Sequence, residues 1–554
     1  MASGNGRQRD ESRSHSWWKG ALAAALCLAL AIAVTACGSS SDSSAAGGSG
    51  GGSPLVIAAP AVPTTLDMEY AQASESGMVY KNAYDSLFQF PITRNSEGVS
   101  TQDVSKEPTC LLCKSFSYDS SQPAWKVTLR PKVLSSAGNE LTAEDVKWSW
   151  ERSIGIGQSI GGLTAASVDT EDPITVTGKY TFTINLTEPN PLLPKVFAVP
   201  NLNAPTLDAV EVKKHATSSD PWAKSWLATH TAGFGPLEVE SFTPGNQITW
   251  VRNPNYFGKP ARSSEIIIKQ VPESSTRTAL LQSGSVDIAL NLTPQEIKQV
   301  EGNSDVSVES VKSVRGIFFG LNTVQKPFDN VLVRQAIAYA SPVEKMRKAV
   351  FLDDPNVRQT GGYLPENYPG ALTDWPYKYD PTKAKELLKK AGVGDFSFKL
   401  TISSAEPVFE QMAIIEKSAL APLGITLEIN KLPAARYQEE FFGRKAQSEF
   451  VEDQANIPDG PYALSLYFSS EEVGVADWTN YSNAKVDRLL AEGSRSTDPS
   501  TREQKATEAH KIIVSEVPWA FALFKSYDFA QRSDVHGFVW KIDSLLWLYP
   551  LYKS

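Results

Sequence analysis

The sequence predicts an α/β protein of more than one domain, and three observations carry that expectation. Strand-patterned and capped helical segments alternate from about residue 225 to 440. The composition, 41% hydrophobic and 21% charged, is that of a chain with a packed core. A length of 554 residues exceeds what one such core ordinarily serves. The net charge of −9 and the absence of any Lys/Arg-rich run exclude binding to nucleic acid.

The chain opens on a different material. Arg7, Arg9, Arg13 and Lys19 precede "ALAAALCLALAIAV" at 21–34, fourteen uncharged residues. That length suits a signal-peptide core and falls short of the ~20 residues that cross a bilayer; a single-span anchor is the alternative. Removing 1–36 removes four basic and two acidic residues, taking the net charge to −11. Val34, Thr35, Ala36 and Cys37 then resemble the lipobox of bacterial lipoproteins, which implies cleavage before Cys37 and diacylglycerol on its sulfur. Two or three acyl chains anchor firmly where one is reversible. The Gly/Ser/Ala run at 38–53 behaves as a flexible tether with a reach of about 20–25 Å.

Of four cysteines, Cys27 lies in the leader and Cys37 at its end, which leaves Cys110 and Cys113 in "PTCLLCKS". A CxxC can be half a zinc site, a redox pair or a local disulfide. No second CxxC and no nearby His accompany it, and an exported context favours a structural disulfide.

After Pro54 the elements follow in order. "PLVIAAP" is a short apolar run, the pattern of a buried strand, and "AWKVTLRP" alternates as a half-exposed one. "LTAEDVKWSWERS" opens on Thr142 with Asp145 three residues on, a capping box. "LTPQEIKQV" repeats it with Thr293, Pro294 and Glu296, and "SPVEKMRKAV" with Ser341, Pro342 and Glu344. "YDPTKAKELLKKAG" has Asp380 as cap, Pro381 in the first turn and Gly392 as stop. Strands are expected at "NQITWVRN", "SEIIIKQV", "GIFFGLN", "FSFKLTIS" and "GITLEINKL". No internal repeat is present.

Five segments in order then carry a resemblance. "TTLDMEY" with "VYKNAYDSLFQF" forms an opening Leu-Asp turn and helix. "WKVTLRPKVLSSAGNELTAEDVKWSWER" follows an "LR-x-G-V … T-A-x-D-V" block, with drift at Lys132, Ala137 and Asn139. "GFGPLEVESFTPGNQITWVRNPNYFGKPA", "STRTALLQSGSVDIA" and "FFGLNTVQKPFDNVLVRQAIAYA" complete the series. Together they resemble the large extracytoplasmic solute-binding proteins of ABC importers, in the peptide/nickel class. The resemblance implies a two-lobe, periplasmic-binding-protein-like clamp of the class II (cluster C) type, with an extra subdomain at about 78–225. Lobe I would be 54–312, lobe II 313–521, and 522–554 would return to lobe I. The crossings are expected near 312–316 and 518–524. It implies a monomer that takes no cofactor, captures oligopeptide between the lobes and delivers it to permease and ATPase subunits, held by lipid outside the cell membrane.

The resemblance also implies site residues. Thr64, Thr65, Leu66 and Asp67 are expected at the cleft rim, and Gly233, Phe234 and Gly235 place backbone near the ligand. Asn322 is expected to face the interlobe region, and Tyr363 and Trp375 to supply aromatics. In "EDQANIPDGPYALSLYF", Asn456 stands where peptide binders carry the Asp that pairs with the ligand α-ammonium, and Asp453 stands where they carry Trp. An amide offers no net charge there, so Asp453 or Asp459 would substitute, or the ligand is an amine-blocked peptide or a sugar.

Two enzyme readings are weak. "GQSIG" at 157–161 fits G-x-S-x-G, but a helix rather than a strand precedes it. His215, His230, His510 and His536 form no metal-binding motif.

Overall fold

The computed structural model describes residues 53–554 apart from 71–73, 97, 120, 158–166, 200–204 and 473–476. The leader, Cys37, the tether up to residue 52 and all but Gly157 of "GQSIG" lie outside the described residues.

A ten-stranded mixed sheet organises the described chain. Its strands are β1 (Leu55–Ala59), β2 (Leu237–Thr243), β3 (Gln247–Arg252), β4 (Glu265–Gln270), β5 (Ile288–Ala289), β6 (Val306–Leu321), β7 (Phe396–Ser403), β8 (Ile425–Leu432), β9 (Ser448–Asp453) and β10 (Trp519–Arg532), in the order β2-β3-β4-β1-β5-β10-β6-β9-β7-β8. β1 is parallel to β4 and β5, and β7 to β8 and β9; the central β1 is apolar on both faces, while the edge strand β8 alternates.

The two long strands β6 and β10 join the halves of this sheet. Residues 306–312 of β6 pair with Ser526–Arg532, beside β5. Residues 316–321 instead lie between β10 and β9. Between Lys312 and Gly316 the register shifts: four steps along β6 oppose two along β10. The extra residues Ser313–Arg315 break the ladder where the sheet passes from one half to the other.

A separate four-stranded sheet holds Cys113–Asp119, Ala124–Leu129, Thr181–Asn185 and Ile174–Gly178, antiparallel throughout. Helix Ala143–Ile156 covers it, with Trp150 fully buried and stacked on Phe197 at 4.8 Å. Cys110 and Cys113 are joined by a disulfide at the edge of this unit. The chain after β10 folds back over helix Ser74–Ala83: the Asn82 amide donates to Leu546 O and accepts from Leu548 N.

Caps sit where local chemistry put them. The Asp145 carboxylate takes the Thr142 N–H at 2.8 Å, Glu296 takes that of Thr293 at 2.8 Å, and Asp380 takes that of Lys383 at 2.9 Å. Gly392 closes its helix at φ 70°. Ser341 departs from the expected pattern. The helix starts at Val343 without a side-chain cap, and the Ser341 hydroxyl instead lies 2.9 Å from both Ile337 O and the buried Glu416 carboxyl. No helix among the described residues is long and apolar enough to cross a membrane.

Candidate functional site

Strand alternation turns one face of the β6/β10 pair to the core and the other to a charged recess. Phe318, Trp519 and Phe524 pack inward, with Phe318 and Trp519 stacked at 4.2 Å. Arg315 and Lys525 project the other way and converge on Glu452 of β9. Lys525 Nζ lies 2.7 Å from one carboxylate oxygen, and Arg315 Nε pairs with the other. Glu452 is 7% exposed, yet Arg315 is 37% and Lys525 25%, so both cations still meet solvent. Burial alone would raise the Glu452 carboxyl, but the charges of Lys525 and Arg315 and their hydrogen bonds hold it below the ordinary range. Burial and then the Glu452 charge raise the neighbouring Glu406.

Asp453, next along β9, is half-buried and has no cation of its own. It accepts the Gln454 N–H at 2.7 Å, and burial raises its carboxyl despite that bond and the nearby charge of Arg315. Gln454 reaches the other half of the molecule. Its amide donates to Asp543 O at 2.9 Å and accepts from the Ser544 hydroxyl at 3.3 Å. Further contacts span the halves, among them Lys525 to Glu452, Asn356 to the Ser310 hydroxyl at 3.0 Å, Gln295 to Val350 O at 3.4 Å, and Arg495 to Glu188 at 3.3 Å.

Beyond Asp543 lies a cavity of about 420 Å³, lined by Lys81, Asp85, Tyr256, Lys541, Trp547 and Tyr549 among others. Helix Ser74–Ala83 delivers Lys81, whose ammonium is buried against the Asp543 carboxylate and Leu545 O. Asp85 accepts from the Tyr256 hydroxyl at 2.8 Å, and burial pushes its carboxyl up to about 6. The Asp543 segment is thus the shared wall of recess and cavity.

The sequence-predicted residues divide sharply. Asp453, one residue on from Glu452, turns to the opposite face of β9, near the Tyr467 hydroxyl. Asn456, half-buried beside it, accepts the Gln454 side-chain amide at 2.8 Å and so helps aim Gln454. Thr64 is exposed, and Thr65 accepts the Asp67 N–H. Leu66 is buried, and Asp67 is committed to a buried ion pair with Arg152, so neither presents its side chain at a rim. Phe234 is core. Gly233 and Gly235 face the end of helix Ser74–Ala83 rather than open space: a Cβ there would stand 2.3 Å from Ala83 O and 2.5 Å from Ala83 C. They let that helix end, and hence Asp85, sit where it does.

The expected interlobe placement of Asn322 is corrected. It is buried, and its amide donates to Ala446 O at 3.1 Å and accepts from Asn480 at 3.2 Å, inside one half. Tyr363 is likewise buried, its hydroxyl on Trp519 O and its N–H on His510 Nε2 at 2.7 Å. Trp375 packs edge-on to Tyr363 and donates to Tyr377 O at 3.0 Å. Asp459 is buried in a two-bond pair with Arg502, at 2.7 and 2.8 Å, and caps helix Gly460–Phe468.

Sequence reasoning passed over Arg315, Glu452, Gln454, Lys525 and Lys541. A signal was present: "SVRGIFF", "ALFKSYD" and "VWKID" each place one cation inside an apolar strand or turn. A charge is expensive there unless it is paired or used. His510 is buried and neutral, lowered to about 4 by burial, and holds Tyr363 and Gly370 rather than a metal. Among the described residues no group of His, Cys, Asp and Glu could hold a metal ion.

Residues 107–474 match the profile of the bacterial extracellular solute-binding proteins, family 5. "Probable D,D-dipeptide-binding periplasmic protein DdpA" of Escherichia coli K12 is 27% identical over 487 residues, 88% of this chain and 91% of that one. Among solved structures, the dipeptide-binding protein of Pseudoalteromonas sp. SM9913 in complex with Met-Leu superposes with TM-score 0.79 at 18% identity, covering 91% of this chain and all of that one. The periplasmic binding protein DppA from Helicobacter pylori in complex with peptide STSA gives 0.77 at 22%, covering 90% and 98%. The fold is therefore the two-lobe clamp, with the subdomain built on the 113–185 sheet, and these relatives are binding proteins rather than enzymes.

Proposed function

We propose, because this chain belongs to family 5 of the bacterial extracellular solute-binding proteins, that it captures small peptides between its lobes and delivers them to an ABC permease. Lobe I is 54–312 with 522–554, lobe II is 313–521, and the ladder break at Ser313–Arg315 is the hinge. Lipid on Cys37 and the tether at 38–53 keep the clamp at the outer face of the membrane. It acts as a monomer.

The observation that carries the peptide reading is Asp453. A half-buried carboxylate raised by burial, with no cation of its own, gains most from an incoming ammonium. Asn456 adjoins it and keeps Gln454 in place. The peptide backbone then runs toward the Asp543 wall, where its remaining polar groups and trapped water meet the cavity.

A thermal-shift screen with defined di- to pentapeptides tests this. True ligands raise the midpoint with concentration, following RT ln(1+[L]/Kd). Asp453→Asn is expected to weaken free-amine peptides by roughly 10- to 100-fold, a loss of about 1.5–3 kcal/mol for a charge-assisted bond. N-acetylated peptides that bind wild type as tightly as free ones would instead favour the amine-blocked ligand.

A further inference from the structure

The Lys541 ammonium lies 3.7 Å over the Trp547 ring in the cavity wall, and no carboxylate of the described residues pairs with it. Among the other charges there, the exposed Arg130 likewise pairs with no carboxylate of the described residues. Lys81 is consumed by Asp543 and Leu545 O. Asp85 is held by Tyr256, and Arg130 donates its Nε to Leu111 O. Tyr256 and Tyr549, in edge-on contact at 5.6 Å, supply an aromatic flank. The cavity thus combines an unpaired cation, flat aromatic surface and room for a side chain or chain end.

We infer that this cavity is an anion subsite in which Lys541 receives a carboxylate of the bound solute while Trp547 and Tyr549 pack the group that carries it. The inference rests on the peptide reading above and adds its polarity: ammonium toward Asp453, carboxylate toward Lys541. The carboxylate has two sources, the peptide C-terminus or an acidic side chain.

The electrostatics agree. Burial and then the charge of Lys81 lower Lys541 to about 7, against the pull of Asp543 and Asp85. An empty site therefore holds a half-charged ammonium near neutrality. Binding a carboxylate favours the charged form and takes up a proton as pH rises above 7. Asp85 titrates near 6 and is ionised above 7, so the part of the slope that an acid shows beyond its amide belongs to Lys541, while the part they share belongs to the peptide α-amine.

Calorimetry on the mature protein with Ala-Phe-Ala, its C-terminal amide and Ala-Phe-Glu amide separates the sources. The free acid is expected to bind at least tenfold tighter than Ala-Phe-Ala amide at pH 7. Recovery by the Glu amide would mean that a side-chain carboxylate also serves. From pH 7 to 8.5 both peptides weaken as the α-amine they share loses its proton, and the acid's Kd rises more steeply than the amide's, by up to a further tenfold per unit. Lys541→Met erases the acid–amide difference, and Lys541→Arg keeps it but removes the acid's further slope. Equal affinity of acid and amide in wild type overturns the inference and leaves the peptide reading standing. Should no peptide bind, the peptide reading fails, and phenylacetate against phenylacetamide decides the subsite. On reductively methylated protein, the lysine resonance missing in Lys541→Arg must shift with the acid only; no shift overturns it.

Discussion

Asp459 and Arg502 show what a buried charge is for when it is not a ligand site. The Arg502 guanidinium meets both Asp459 oxygens and three carbonyls, those of Gly493, Ser494 and Ser496, with almost no solvent contact. Asp459→Asn leaves that cation buried without its counter-charge, so denaturant unfolding should show a loss of about 3–5 kcal/mol. Peptide affinity, measured where the variant stays folded, should change less than twofold. A large affinity loss would return Asp459 to the site. Asp67 repeats the lesson with Arg152, 85 residues away. Both acids sit in stretches that resemble ligand-contacting motifs, and one-dimensional reading cannot see a partner so distant. Asp453 entered through its place in the matched motif beside Asn456, and its part in ligand binding is a proposal.

Elements were readable where their determinants were local, and misread where a side chain was claimed by another element. The caps at Asp145, Glu296 and Asp380 involve residues within one turn, so sequence spacing sufficed. Ser341 has the same spacing, but Glu416 of helix Pro407–Leu420 takes its hydroxyl at 2.9 Å. Glu416 is fully buried and one of its oxygens has no partner; burial pushes its carboxyl up to about 8 against the Ser341 bond. The folded state therefore holds a proton that the unfolded chain releases near pH 4.3, and stability falls as pH rises between those values. The slope approaches 1.4 kcal/mol per pH unit at most. Glu416→Gln keeps the Ser341 bond without a charge to bury. Its melting midpoint should exceed that of wild type by a small margin at pH 5 and by a much larger one at pH 8.5. Glu449, raised to about 8 by burial and the charge of Glu440, leaves a residual slope that a Glu416→Gln/Glu449→Gln double variant removes.

On the scale of the whole molecule, a clamp binds through a difference between open and closed states, and only contacts between the lobes bias that difference. The order of motifs led to the expectation of crossings near 312–316 and 518–524; the paired β6 and β10 occupy those stretches, and their register shifts at Lys312–Gly316 and again at Phe318–Gly320. The contacts between the halves were not legible, because each joins residues far apart in the sequence. Gln454 makes two of them, to Asp543 O and to the Ser544 hydroxyl. The Arg495–Glu188 pair is exposed and contributes little in salt. On the proposed mechanism Gln454→Ala removes two bonds that the closed state makes and the open state lacks. The closed fraction falls, and the apparent Kd is the intrinsic value divided by that fraction. At about 1 kcal/mol for the pair of bonds, every ligand should weaken by roughly fivefold. The loss should be equal for free acid and amide and independent of pH between 7 and 8.5, unlike that of Lys541→Met. Scattering on the ligand-free variant should give a larger radius of gyration than wild type, with the two coinciding at saturating peptide. A loss confined to one ligand class would instead place Gln454 in direct contact with the solute and remove it from the latch.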